Sequence, residues 1–179
     1  MMEKEKNFDD NILDYHCPRY EDLPKIELYM DQLVAILNEY LAPFHSQGED
    51  AIVTATMINN YVKQKVIHPP KNKKYNRSHI MYLIVVGVLK NVLSISDIAQ
   101  LIKMQIKQYP LRKAYNFFAI ELENVLNVTF GTRDFAEANS VWERTHLQKL
   151  VRSALLSFAN KVYVRKNLSA INTDEPENS

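Results

Sequence analysis

The sequence predicts an all-α chain, on three observations. Only three glycines occur in 179 residues, too few for the turns of a β-sandwich or a wound α/β sheet. Long segments rich in Leu, Ile, Lys, Glu, Gln and Asn set their apolar residues at helical spacing. Prolines fall between these segments or at their starts, where a helix tolerates them.

Residues 1–18 read as a flexible lead-in. Their MMEKEKNFDDNILDY start is polar and acidic, unlike a signal peptide. A first helix is expected from Pro24 or Lys25 to Leu41, where Tyr29, Leu33, Ile36, Leu37, Tyr40 and Leu41 share one face. Pro43 and the HSQGED linker end it. A second runs from Thr54 to Lys65, capped by Thr54 or Thr56 and buried through Met57, Ile58, Tyr61 and Val62. The following VIHPPKNKKY must be extended, because Pro69 and Pro70 exclude helix and bias His68 away from it.

Asn76 or Ser78 caps a third helix that ends at Leu89. The chain turns on Ser94 into a fourth near Ser96, with Asp97 in the first turn facing the positive end of the helix dipole. After Tyr109-Pro110 a fifth helix carries Leu111, Ala114, Tyr115, Phe118, Leu122, Val125 and Leu126, and Gly131 marks its end. A sixth spans Asp134 to Val164 on a stripe that includes Trp142, Leu147, Val151, Leu155 and Phe158. The tail, 167–179, ends in NTDEPENS and reads as disordered.

Composition bounds the class of protein. Hydrophobic residues make up 46% and charged residues 24%, which suits a globular chain with a full core. The single cysteine, Cys17, excludes an internal disulfide and a multi-cysteine zinc site, and fits a reducing cytoplasm. The most apolar run, Ile80 to Leu89, is too short to span a bilayer. A cytoplasmic protein without membrane contact is expected.

The formal charge of +1 conceals a segregation. Between Asp50 and Asp97 no Asp or Glu occurs, while Lys63, Lys65, Lys71, Lys73, Lys74, Arg77 and Lys90 all lie inside. A local basic field on a nearly neutral protein is the footprint of a polyanion site. Its elements follow the order of a winged helix: a short helix, an extended basic hairpin, then a helix entered through a tyrosine. The candidate DNA contacts are Thr54, Thr56, Asn59, Asn60, Lys63 and Gln64 on the helix, with Lys71, Lys73, Lys74, Tyr75 and Arg77 in the wing. Amides pair bidentately with adenine and lysines reach guanine or phosphate, while the wing cations supply affinity without sequence information.

The motifs Ile58-Asn59-Asn60-Tyr61, Val66-Ile67-His68-Pro69, Lys73-Lys74-Tyr75 and Val92 to Ile98 recur in the order and spacing of a known domain. Thr54 to Ile102 resembles the DNA-binding domain of MerR-type transcription regulators. In that family's pattern Asn59 stands where an arginine is usual, Val62 for a glutamate, Lys65 for a glycine and Lys73 for the wing arginine. The chain from Arg19 to Val164, above all RYEDLPKIELYMDQL and the block from Thr54 to Ile80, also resembles the bacterial domain-of-unknown-function 1836 family. That resemblance implies a MerR-like winged helix-turn-helix with a helical C-terminal half and DNA binding, and no ligand or reaction.

Other signals point to packing first. His16 and Cys17 are adjacent on an extended chain and face opposite sides, and a reactive thiolate needs a positive pocket. The histidines lack metal-ligand spacing. Glu121 and Glu123 read as solubilising charge on a helix face. Tyr61 and Tyr75 serve the core or contact bases. Trp142 and the Phe117-Phe118 pair belong to the core or line a pocket for an unknown small-molecule effector.

The expectation is therefore an all-α protein with a MerR-like winged helix-turn-helix and small β wing over 19–107, then a C-terminal helical hairpin or bundle over 108–166. It is read as a transcription regulator on double-stranded DNA, a homodimer, not an enzyme, with no cofactor or metal. The alternative is a protein-interaction module on the same scaffold that has lost DNA binding.

Overall fold

The computed structural model describes residues 10–45, 51–132, 134 and 145–173. Among these the regular elements are helical and no strand occurs. The seven α-helices are α1 (Asp10–Leu13), α2 (Met30–Leu41), α3 (Ala55–Lys63), α4 (Arg77–Leu89), α5 (Ile95–Gln108), α6 (Leu111–Asn127) and α7 (His146–Thr173).

The core is built around α4. Its sequence RSHIMYLIVVGVL has no polar face after the first turn, and such a helix must be enclosed on all sides. Ile80, Ile84, Val86 and Val88 are completely buried, and α2, α5, α6 and α7 pack around them. At Gly87 an added Cβ would fall 2.6 Å from Leu41 Cδ1, so the missing side chain permits the close approach of α2. The amphipathic neighbours turn their stripes inward: Leu33, Leu37 and Leu41 from α2, Phe118, Leu122 and Val125 from α6, Leu155 and Phe158 from α7. One continuous cluster of buried residues extends from Ile12 to Val162, on both sides of residues 107–108.

Several boundaries differ from expectation. α2 starts at Met30, not near Pro24. The residues before it are held extended because Leu28 exchanges both backbone hydrogen bonds with Tyr75, at 2.9 and 2.8 Å. The lead-in is folded from Asp10 onward, since Ile12 and Cys17 are 1% and 0% exposed. α7 continues to Thr173, past the expected end at Val164 and into the tail expected to be disordered from 167. A five-residue π-turn, Val128–Thr132, closes α6 at the expected Gly131. The expected helical stretch 135–144, with Trp142, lies outside the described residues.

The expected β wing does not form as strands among the described residues. In its place are two isolated antiparallel bridges, Lys71 with Lys74 and Leu28 with Tyr75. Pro69 and Pro70 lack the N–H groups that a longer ladder on the leading leg would use.

Candidate nucleic-acid interface

The acid-free stretch folds into α3, a hairpin, the whole of α4 and the first residues of α5. Thr54 caps α3, its hydroxyl oxygen accepting from the Met57 N–H at 3.2 Å, a contact worth about 1 kcal/mol. Ile58 and Tyr61 fix the helix to the core. With those two facing inward, Thr56, Asn59, Asn60, Lys63 and Gln64 are exposed. Thr54 is half-buried and its hydroxyl is already engaged in the cap.

The helix ends in a Schellman motif. The Val66 N–H donates to the Tyr61 carbonyl and the Lys65 N–H to the Val62 carbonyl, both at 3.0 Å, with Lys65 in the left-handed region at φ 59°. Glycine is the usual residue there, because a Cβ costs energy at positive φ. Val66 and Ile67 then anchor the chain in the core.

Beyond Pro70 the chain reverses in two residues. Lys71 and Lys74 exchange backbone hydrogen bonds at 3.2 and 2.9 Å, and Asn72 and Lys73 have φ of 51° and 60°. Two positive φ values between paired residues are the signature of a type I′ hairpin turn, whose twist suits antiparallel pairing. Lys71 and Lys73 project from its tip into solvent. The Lys74 ammonium lies 5.3 Å from the centre of the half-exposed Tyr29 ring. Among the described residues no carboxylate forms an ion pair with Lys63, Lys65, Lys71 or Lys73. Glu27 lines a cleft at the hairpin base together with His68, Lys71 and Lys74.

Two expected wing contacts are used by the fold instead. Tyr75 is 3% exposed and packs edge-on against His79 at 5.3 Å between centroids. Arg77 donates to the Leu23 carbonyl at 3.0 Å and stacks over Tyr20 at 4.5 Å. Both are held by the extended segment before α2, whose pairing with the hairpin is a long-range event. Lys90 is likewise withdrawn from the basic field, its ammonium donating to the Ile52 carbonyl and touching Met57 Sδ at 3.6 Å.

His79 sits beneath the hairpin. Its Nδ1 is 3.0 Å from the Asn76 backbone N and 2.9 Å from Asn76 Oδ1, and Nε2 is buried without a partner. Burial holds its pKa below the ordinary histidine value, since a charged ring would lose hydration. Asn76 caps α4, accepting from the Ser78 and His79 N–H groups at 3.0 and 3.3 Å.

Two carboxylates expected as solvated surface charge are structural. Glu123 receives both nitrogens of the Arg19 guanidinium, at 2.8 and 2.6 Å, and the Cys17 N–H at 2.8 Å. Glu121, 4% exposed, pairs with buried Arg152 of α7 at 2.9 Å. Both partners are remote in sequence, so helical spacing could not reveal them. The Cys17 thiol is pushed up to about 12 by burial, which removes the thiolate a nucleophile needs. Among the described residues no group of three His, Cys, Asp or Glu is placed to hold a metal, and no helix is long and apolar enough to cross a membrane. Phe118 is core and Phe117 is half-buried.

No curated protein matches the chain, and no solved structure does. The model of one family, Domain of unknown function (DUF1836), matches residues 18–118. That span holds the hairpin, the segment paired with it and every helix from α2 to α5, more than half of the chain, and the protein belongs to the DUF1836 family.

Proposed function

We infer that the chain is a DNA-binding transcription regulator, built on a MerR-like winged helix-turn-helix within 19–107 and supported by the helices of 108–166. α3 reads the major groove through Asn59, Asn60, Lys63 and Gln64, with Thr56 at its first turn. The hairpin tip rests on the phosphates through Lys71, Lys73 and Lys74.

One observation carries this reading: an outward row of amide and cationic side chains on α3 continues into a lysine hairpin, with no intervening ion pair among the described residues. A lysine also stands at Lys73 of the hairpin turn, where backbone geometry favours glycine. A charge kept against local strain fits a functional use. A homodimer fits the same reading, because two half-sites multiply affinity and match palindromic operators. A cytoplasmic location goes with it, and catalysis forms no part of it.

The second reading is a protein-interaction module that keeps this scaffold without binding DNA. It draws on Ile26 and Tyr29, 70% and 52% exposed on the segment that pairs with the hairpin. Fluorescence anisotropy with mixed-sequence duplex across a salt series separates the two. The DNA reading requires a log–log slope of several units, shallower in the Lys71, Lys73, Lys74→Ala variant. A folded protein that ignores duplex even at low salt leaves the interaction module in place.

A further inference from the structure

A cleft of about 420 Å³ separates the leading leg of the hairpin from α5, away from the outward face of α3. Its floor is apolar, formed by Val66, Ile67, Tyr82 and Ile102. Lys65, His68 and Lys103 stand on its rim, and no Asp or Glu lines it. Tyr82, Ile102 and Ile106 also line an adjoining apolar recess of about 50 Å³ that reaches Leu111 and Phe118. Ile106 is 40% exposed at the shared edge.

We propose that this cleft binds a small amphipathic organic anion, a carboxylate with a short aliphatic or aromatic body. The size lies within the range of small-molecule sites, and an apolar bed with a few convergent polar groups is their usual construction. Lys65 and Lys103 supply the charge. Lys65 is fixed by the Schellman motif at φ 59°, so its backbone position is set before any ligand arrives. Burial of the body against Tyr82 and Ile102 supplies the apolar contribution, at about 25 cal/mol per Å². The carboxylate stays at the half-open rim, where it keeps part of its hydration and avoids the cost of a buried charge. On the duplex-binding reading, occupancy acts on the leg that joins α3 to the hairpin, and so on DNA affinity. The binding itself stands independently of that reading.

The test uses the full chain without DNA, with octanoate as probe. Octan-1-ol is the uncharged control and inorganic phosphate the control without an apolar body. Amide NMR titration is expected to move resonances of 65–68 and 99–106 with octanoate, and with neither control at matched concentration. Lys103→Ala and Lys65→Gly are each expected to weaken octanoate binding about tenfold, the loss of a charge-assisted contact. Both variants are expected to fold, since Lys103 is exposed and glycine suits the backbone at 65. Absence of shifts at millimolar octanoate overturns the proposal. So does binding that octan-1-ol reproduces or that both variants retain, since that is apolar adsorption alone. Duplex binding by the Lys103→Ala variant, measured separately, reports on the DNA reading and leaves this result untouched.

Discussion

Arg19 closes on Glu123 through two charge-assisted hydrogen bonds, Nη1 to Oε1 at 2.8 Å and Nη2 to Oε2 at 2.6 Å, across 104 residues of chain. The same carboxylate takes the Cys17 N–H, and Arg19 returns a bond to the Cys17 carbonyl at 2.6 Å. His16 Nδ1 lies 3.0 Å from it as well. One glutamate on α6 thus fastens the segment before α2, and through it the pairing of Leu28 with the hairpin.

Glu123→Ala leaves a guanidinium and a backbone N–H without their acceptor. The pair is about four-fifths buried, so the loss is set at about 2 kcal/mol, below that of a fully buried pair. A melting temperature lower by roughly 4 to 8 °C is expected for a chain of this size. Glu123→Gln keeps one acceptor and loses less. A melt for the alanine variant that superimposes on wild type would sink this account of the fastening.

Glu121 and Arg152 join α6 to α7 inside the core. Removing either partner takes the opposite charge from the other inside the core, at about 3 kcal/mol, although Glu121 also accepts from the Asn124 amide at 3.2 Å. Replacing both with apolar residues removes the charge and its partner together. Denaturant unfolding of Glu121→Leu, Arg152→Met and the double variant checks this. The double variant is expected to be more stable than the worse of the two singles, and the reverse order refutes the pair as an isolated unit.

Lys65→Gly and Lys73→Gly relieve two left-handed lysines. Each is expected to stabilise the fold by about 0.5–1 kcal/mol, the left-handed penalty less the extra entropy of glycine. The two then part in duplex binding: Lys73→Gly lowers the salt slope by about one contact while melting higher. Stability and binding that fall together would show that the hairpin geometry was misassigned.

His79 gives a pH dependence. Its folded pKa is depressed by burial, so between the folded and unfolded values the unfolded chain binds more protons. Its contribution is complete above pH 6.5 and is lost as pH falls through that window toward the folded pKa. A charged ring also has no acceptor left for the Asn76 N–H. His79→Asn retains a short acceptor and cannot titrate there, so its melting temperature between pH 7.5 and 5.5 is expected to slope less than wild type. Asp22 and Glu21, whose pKa values are lowered by backbone hydrogen bonds first, act in a separate window below about pH 4.5. An unchanged slope in the variant contradicts the assignment.

The outward face of α3 was legible because period and polarity are local. Ile58 and Tyr61 mark the inner side, and the row from Thr56 to Gln64 follows by geometry. For the same reason the sequence narrows the cap of α3 to Thr54 or Thr56 and the cap of α4 to Asn76 or Ser78, and places the stop at Gly131. Arg77 was not legible, and the sequence leaves Tyr75 between the core and a base contact. Their residue types fit a wing contact, and only the segment from Leu23 to Leu28, folded back across about fifty residues, engages the Tyr75 backbone and the Arg77 side chain. The start of α2 failed with them, since the bonds that hold Leu28 extended come from that partner.

The sequence by itself determined the helical class, the all-round burial of α4, and the gathering of cations in a stretch without acids. These follow from spacing and composition, which each residue carries wherever the chain goes. Only the tertiary structure decided which charges remain outside. Glu121, Glu123, Arg77 and Lys90 have the same chemistry as their exposed counterparts, and a distant partner withdraws each of them from the surface. It also set Lys65 and Lys103 on one rim, because the Schellman turn and α5 meet only once α4 is enclosed.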